Sequence, residues 1–442
     1  FAATRPVRGR SRLVLQRRYE REMVAESRGN WASRTGHEAA VTRFFLGLMM
    51  CGPLFLPRFQ YTVSNREMSI TLFVTVISVL VLAARGALRV KMTRVILFST
   101  AIAAMLMAAT FGGSGRVSAN SFLLLVVLYL SFVFSLPPSD DTYLWTIRIF
   151  RRLATIIAIA GIGQFVGQLA IPGDTLFTFA GIIPAEFLAS QFNPVIPVPG
   201  LDQLNKSNGV FLLEPSGFSQ LMALSLIIEL LFFRLTWRMA LFVVGLYISF
   251  SGTGTALALV FVPLLLIRRG QISLLLIAAG VIVIAVIFAK GIDVDAFTSR
   301  VSEFGAVRSS GFARFVAPVY LINDVVLPSA RNTLFGMGPG AIDPYFGTIG
   351  YDVHDPTWGK LFFEYGFFGF IPFAIFILHC FFVEARSRWL SAALFFQYLL
   401  LAGNLLEPRT QALILVLVVL QSAAPIRRAA NPAAAGRLLV TS

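Results

Sequence analysis

Charge is scarce in this chain: only 13% of its 442 residues are Asp, Glu, Lys or Arg, against 57% that are hydrophobic. Soluble domains cover roughly a quarter to a third of their surface with those four residues, so a water-soluble fold of this size is excluded. Cysteine is limited to Cys51 and Cys380. Both lie in apolar runs, without the spacing of a metal or redox pair, and read as packing residues; a disulfide framework is excluded. The first forty residues lack an apolar core and a cleavage site, so they are no signal peptide. They read as a basic cytoplasmic tail (residues 1–41) that touches anionic lipid. The chain begins at Phe1 rather than Met, which leaves the true start open.

The chain does have long hydrophobic runs. They come in blocks of roughly 15 to 20 residues, the length that crosses a bilayer as helix. The expected fold is an all-α polytopic membrane protein of about twelve spans, near residues 42–57, 68–84, 95–111, 121–136, 153–171, 215–233, 239–251, 254–267, 272–289, 359–382, 389–406 and 410–422. Thus 42–289 holds the first nine spans, 359–422 the last three, and 423–442 a second tail. With the N-terminus inside, 26 of the 37 Lys and Arg fall on cytoplasmic segments, so the positive-inside rule puts both termini in the cytoplasm. The net charge of +15 is mainly a topology signal. Nucleic-acid binding is a poor reading, because the basic residues are scattered over short loops rather than gathered on one face.

Two outside loops are large. Residues 172–213 are Pro-rich and include an apolar stretch, Leu176 to Leu188, expected to lie at the membrane surface or dip into it. Residues 290–358 form the longest loop, and loops of that length are usually functional. Within it, Gly311 to Leu327 reads as an amphipathic helix that ends before Pro328, and Gly336-Met337-Gly338-Pro339-Gly340 as a tight turn. The turn is no nucleotide cradle, since it has no preceding strand, no following helix and no Gly-Lys-Ser/Thr ending.

His354, the one centrally placed histidine among three, stands where the longest loop re-enters an apolar helix. Asp355 reads as the cap of that helix and Pro356 as its first residue, which sets His354 beside a helix N-terminus that favours anions. Two further acid-proline junctions, Glu214-Pro215 and Glu407-Pro408, fall at the same outer face. Beside Lys206, Arg409 and His354 they point to a polar cleft there.

The stretch Lys206-Ser207-Asn208-Gly209-Val210-Phe211-Leu212-Leu213-Glu214-Pro215-Ser216 resembles the "basic, Gly, Phe, Glu-Pro-Ser" segment of a known family. His354-Asp355-Pro356-Thr357-Trp358 with Glu364, Gly366 and Gly369 resembles its "His, then Glu-x-Gly-x-x-Gly" signature. The glycine turn upstream, and Arg314 after Ser309-Ser310-Gly311, also fit. The family is that of the O-antigen ligases and the O-antigen (Wzy-type) and exopolysaccharide polymerases, which are bacterial inner-membrane glycosyltransferases. The resemblance covers about residues 206–370 in motif and 70–420 in topology. It implies an undecaprenyl-pyrophosphate-linked oligosaccharide donor and a periplasmic glycan acceptor, with no metal, cofactor or nucleotide sugar. A flippase and a chain-length regulator are its implied partners beside the lipid bilayer. Lys206 departs from the arginine common at that position and loses bidentate phosphate recognition. Ser251-Gly252-Thr253-Gly254-Thr255 stands where a Ser-Arg pair is often found.

Transfer of a sugar from a lipid pyrophosphate needs a base at the attacking hydroxyl and cations at the departing pyrophosphate. The expected catalytic residues are His354, as base, and Glu214. The expected pyrophosphate ligands are Arg314, Lys206, Arg409 and Arg300, with Arg308 in the same loop. Glu364 and Glu407 are expected to support the site, Glu364 by pairing with Lys360 one turn earlier. A metal at Asp352, His354 and Asp355 is disfavoured, since no second histidine or carboxylate cluster lies nearby. His379 and Glu229 read as structural. The Glu-Pro-Ser form favours polymerisation of repeat units, with ligation to lipid A-core as the alternative. A transporter or flippase is a third reading, disfavoured because the halves show no repeat and the polar residues gather at the outer rim.

Overall fold

The structure, a computed structural model, describes residues 38–63, 66–113, 117–171, 174–190, 192–198, 200–271, 273, 310–345, 351, 353–401, 405–421 and 423. The ninth expected span apart from Ser273, most of both tails, and Arg300, Arg308 and Asp352 lie outside the described residues.

The described chain is mostly helical. In order the helices are α1 (Glu38–Phe55), α2 (Ile70–Ala84), α3 (Met92–Phe111), α4 (Ala119–Leu130), α5 (Asp140–Gly167), α6 (Pro215–Phe232), α7 (Trp237–Ile248) and α8 (Gly252–Arg268). The long loop holds α9 (Ser310–Phe315), α10 (Ala317–Leu321) and α11 (Ala330–Phe335), and α12 (Thr357–Leu378), α13 (Arg388–Leu400) and α14 (Pro408–Ile414) follow. Among the described residues five segments are long and apolar enough to cross a membrane: α1, α3, α5, α6 and α12 with its continuation to Val383. The other described helices at the expected span positions are shorter.

Local chemistry starts these helices. The Ser118, Ser139 and Ser387 hydroxyls accept the Ser121, Thr142 and Leu390 amides, which satisfies donors that a first turn leaves orphaned. Proline occupies the first position of α6 and α14, where its missing N–H costs nothing. The expected helix from Gly311 to Leu327 is instead broken: α9 ends at Phe315, α10 starts at Ala317, and residues Ile322–Val326 widen into a π turn. Pro318 has no N–H to continue the α9 ladder, which accounts for the break.

The core is built around α6. Four-fifths of its apolar stretch is buried, 78%, against 33–39% for the other four long segments, whose outer faces are left apolar and exposed. It packs against α5, α7, α8 and α13. Helix α8 approaches so closely that a Cβ on Gly254 would lie 2.2 Å from the Ser219 carbonyl. Helix α12 packs along α3 and is kinked at Gly366, which has φ +57°. Among the described residues there are three two-stranded antiparallel sheets: Gln60–Val63 with Arg66–Ser69, Arg89–Val90 with Phe134–Ser135, and Pro197–Val198 with Leu201–Asn205.

At the end of the bundle away from Glu214, Arg94 is 1% exposed and donates to the carbonyls of Phe132, Phe134 and Val419 and to Glu384. Glu229, read as structural, is buried and held by Arg151 of α5 at 2.6 Å. Cys51 and Cys380 are free thiols.

Candidate functional site

Because α6 is the most enclosed helix, the residue at its tip has a fixed place. Glu214 caps α6 by position, and its main-chain carbonyl accepts from the Gly217 and Phe218 amides. Its side chain is not the cap, however. The carboxylate accepts from the Ser216 hydroxyl at 3.1 Å and attracts Arg314 of α9, 100 residues further along the chain. Burial lowers the Arg314 guanidinium from its ordinary value, and the Glu214 carboxylate works against that shift by favouring the charged form.

Arg409 comes from the third acid-proline junction. Glu407 is a true cap, accepting the Arg409 amide at 3.3 Å, and its carboxylate stands 4.0 Å from the Arg409 guanidinium. That guanidinium lies against the first turn of α6, so close that a Cβ on Gly217 would meet Nη1 at 2.5 Å. Arg314 and Arg409 therefore converge on the N-terminal turn of α6. Two guanidinium groups and the Glu214 and Glu407 carboxylates meet there, so the formal charges balance and the positive end of the α6 dipole adds the remaining attraction for an anion.

His354 is exposed, and its amide donates to the carbonyl of Ala313, the residue before Arg314. The histidine loop and the arginine helix are thus stitched together at 2.8 Å. Lys206 is half-buried, with its amide bonded to the Ile196 carbonyl. Its neighbours are clamped by two glutamines one turn apart on α5. Gln164 donates to Asn208 Oδ1 and the Leu176 carbonyl and accepts from Ser207 and Asn208, while Gln168 exchanges two bonds with the Asn205 backbone.

The Asp355 expectation needs correction. Pro356, not Asp355, occupies the cap position of α12, and Thr357 is the first helical residue. The Asp355 carboxylate is drawn away by Lys360, at 2.8 Å, which also meets Asp343 at 3.5 Å and Glu364 at 3.6 Å. The Lys360–Glu364 pair is present as expected, but as part of a cluster of three carboxylates about one ammonium. That cluster ties the loop before His354 to α12.

The glycine turn is a clasp. The break at Gly366 deprives the carbonyls of Phe363 and Glu364 of their helical partners, and the amides of Met337 and Gly338 take their place, both at 2.9 Å. Gly340 also bonds to the Glu364 side chain through its backbone. Neither side of the contact tolerates a side chain: a Cβ on Gly336 would sit 2.5 Å from the Glu364 backbone, and one on Gly366 would sit 2.5 Å from the Leu334 carbonyl.

Three residues important to the site have no counterpart among the expected residues. Gln164 and Gln168 carried a readable signal, polar residues at i and i+4 in an apolar helix. Arg58 carried none. It is 6% exposed, donates to the carbonyls of Leu212 and Phe177, and so pins the segment that leads into Glu214. Burial pushes its guanidinium down to about 10. Among the described residues no group of three His, Cys, Asp or Glu side chains could hold a metal ion.

The described residues define a mostly helical protein with helices long and apolar enough to span a membrane, and a cluster of two arginines and two glutamates at one end of its central helix. Comparison with protein-family models, with curated proteins and with solved structures returns no match.

Proposed function

We propose that the protein is a metal-independent glycosyltransferase of the bacterial inner membrane, with about twelve spans, that polymerises undecaprenyl-pyrophosphate-linked oligosaccharide units at the periplasmic face. The observation that carries this reading is the convergence of Arg314 and Arg409 on the Glu214 turn, with His354 bonded beside Arg314. Arginine forks hold phosphate oxygens in fixed geometry, and positive charge pre-set at a leaving pyrophosphate stabilises the transition state.

In this reading the acceptor hydroxyl attacks the anomeric carbon of the donor sugar and its bond to the pyrophosphate oxygen breaks. The bonding pair leaves on the pyrophosphate, which Arg314 and Arg409 neutralise; it needs no proton. The hydroxyl proton passes to His354, since an imidazole is the side chain best suited to general-base work near neutral pH. Glu214 orients Arg314 and stands where it can polarise the acceptor. Purified protein in liposomes with lipid-linked oligosaccharide should form glycosidic bonds, and His354→Ala and Arg314→Ala proteins should lose that activity while remaining folded. Wild-type rates in both variants would remove the assignments, and translocation without bond formation would replace the enzyme with a transporter. Transfer only to a lipid A-core acceptor would make it a ligase.

A further inference from the structure

We propose that the opposite end of the bundle carries a binding site for the phosphate headgroup of an anionic membrane lipid, formed by Arg152 of α5 and by Thr236 and Arg238 at the start of α7. The site is independent of the proposed catalytic function.

The charge balance there is uneven. Arg238 lies within electrostatic reach of Arg151, Arg152 and Glu229, which makes three cations around one carboxylate. Arg151 takes that carboxylate, with Nε 2.6 Å from Glu229 and its guanidinium 3.9 Å above the Phe233 ring. Neither Arg152 nor Arg238 forms a salt bridge among the described residues. Two polar atoms of the same turn, Thr236 Oγ1 and Arg238 Nε, are buried without a hydrogen-bond partner. Buried donors without an acceptor are costly, so a site that leaves two of them beside excess positive charge calls for an anionic oxygen.

The surroundings select a lipid over a free anion. Arg152, Ile156 and Ile159 share one face of α5, at i, i+4 and i+7. Ile156 and Ile159 are 51% and 53% exposed. They extend roughly 6 to 10 Å along the helix from Arg152, at 1.5 Å per residue. On the neighbouring helix Trp237 is exposed beside Arg238, with the guanidinium 5.6 Å from its ring, the amphipathic side chain typical of a membrane interface. The face therefore presents a headgroup site above an apolar track that fits an acyl chain.

The test uses the full-length protein, delipidated in detergent, with thermal unfolding followed as phosphatidylglycerol, phosphatidylcholine or inorganic phosphate is added. Phosphatidylglycerol should raise the transition by several degrees and phosphatidylcholine and phosphate should not. Each arginine near an anionic headgroup contributes on the order of a tenfold factor or somewhat less, so the Arg152→Gln/Arg238→Gln double variant should bind the lipid about 30-fold more weakly. Its lipid-free transition should match the wild type, since neither arginine holds a salt bridge. A matched Arg85→Gln/Arg89→Gln variant, which removes two exposed arginines elsewhere at the same end, should keep the full shift. Retention of the shift in the Arg152/Arg238 variant, its equal loss in the Arg85/Arg89 variant, or an equal shift from phosphate or phosphatidylcholine would each overturn the site.

Discussion

Substituting Gly217 by alanine should separate folding from function with a single methyl group. Gly217 is the third residue of α6, and its added Cβ would lie 2.5 Å from Arg409 Nη1, where ordinary contact begins near 3.4 Å. The guanidinium must therefore retreat by about 1 Å. It can do so, because the obstruction is the far end of a flexible side chain and no backbone atom lies within that distance. Stability should change little. Alanine is favoured over glycine in a helix by up to about 1 kcal/mol, which offsets a mild loss of contact. Function should change a great deal, since a displacement of about 1 Å in a positioning group costs on the order of 100-fold in rate. The assay pairs the initial rate of glycan transfer in proteoliposomes with thermal unfolding in detergent. A folded Gly217→Ala protein with the wild-type rate would refute the role given to Arg409. A protein that fails to fold would refute the claim that Arg409 can yield.

Gly336→Ala should behave in the opposite way, with a loss of about 3 kcal/mol or more. The residue sits at φ +72° and its Cβ would strike the Glu364 backbone, so left-handed strain adds to the loss of clasp hydrogen bonds. Gly163→Ala, in a helix with nothing within 4 Å of the new Cβ, is the control and should be neutral or stabilising; similar melting of the two variants would contradict the clasp. Lys360→Met should cost about 3 kcal/mol or more in thermal unfolding, because it leaves Glu364, 1% exposed, with neighbouring carboxylates and no cation, and a stable variant would show that the cluster does not need its ammonium.

What the sequence could disclose was local. Apolar block length marked apolar helices, five of them among the described residues long enough to cross a membrane, and the pairs Glu214-Pro215 and Glu407-Pro408 marked two helix starts, because capping needs only neighbours in the chain. The third pair misled for a physical reason: Asp355 has a cation five residues away, and the ion pair with Lys360 competes with capping. Arg314 could be singled out by motif, but its attraction to Glu214 spans the whole middle of the chain and has no local signature. Arg58 is hidden for the same reason, since a cation that binds only carbonyls leaves no complementary residue to notice.

The break at Gly366 shows the limit most clearly, and it changes how the Glu364-x-Gly366-x-x-Gly369 pattern should be understood. The apolar run that follows Glu364 does not disclose where the helix kinks, and neither glycine is marked out as the one with positive φ. In three dimensions each has a steric task. Gly366 turns at φ +57° where a Cβ would strike the Leu334 carbonyl, and Gly369 lets Met105 of α3 approach, a Cβ there lying 3.2 Å from its side chain. Glu364 contributes a carbonyl freed by the break and bound by Gly338, besides a carboxylate held by Lys360 and Gly340. The pattern is therefore accounted for by the clasp between the glycine turn and α12. Because Lys360 of the same helix also holds Asp355, next to His354, the clasp fixes the loop that carries the proposed base, and the proposed chemistry is assigned to residues outside the pattern.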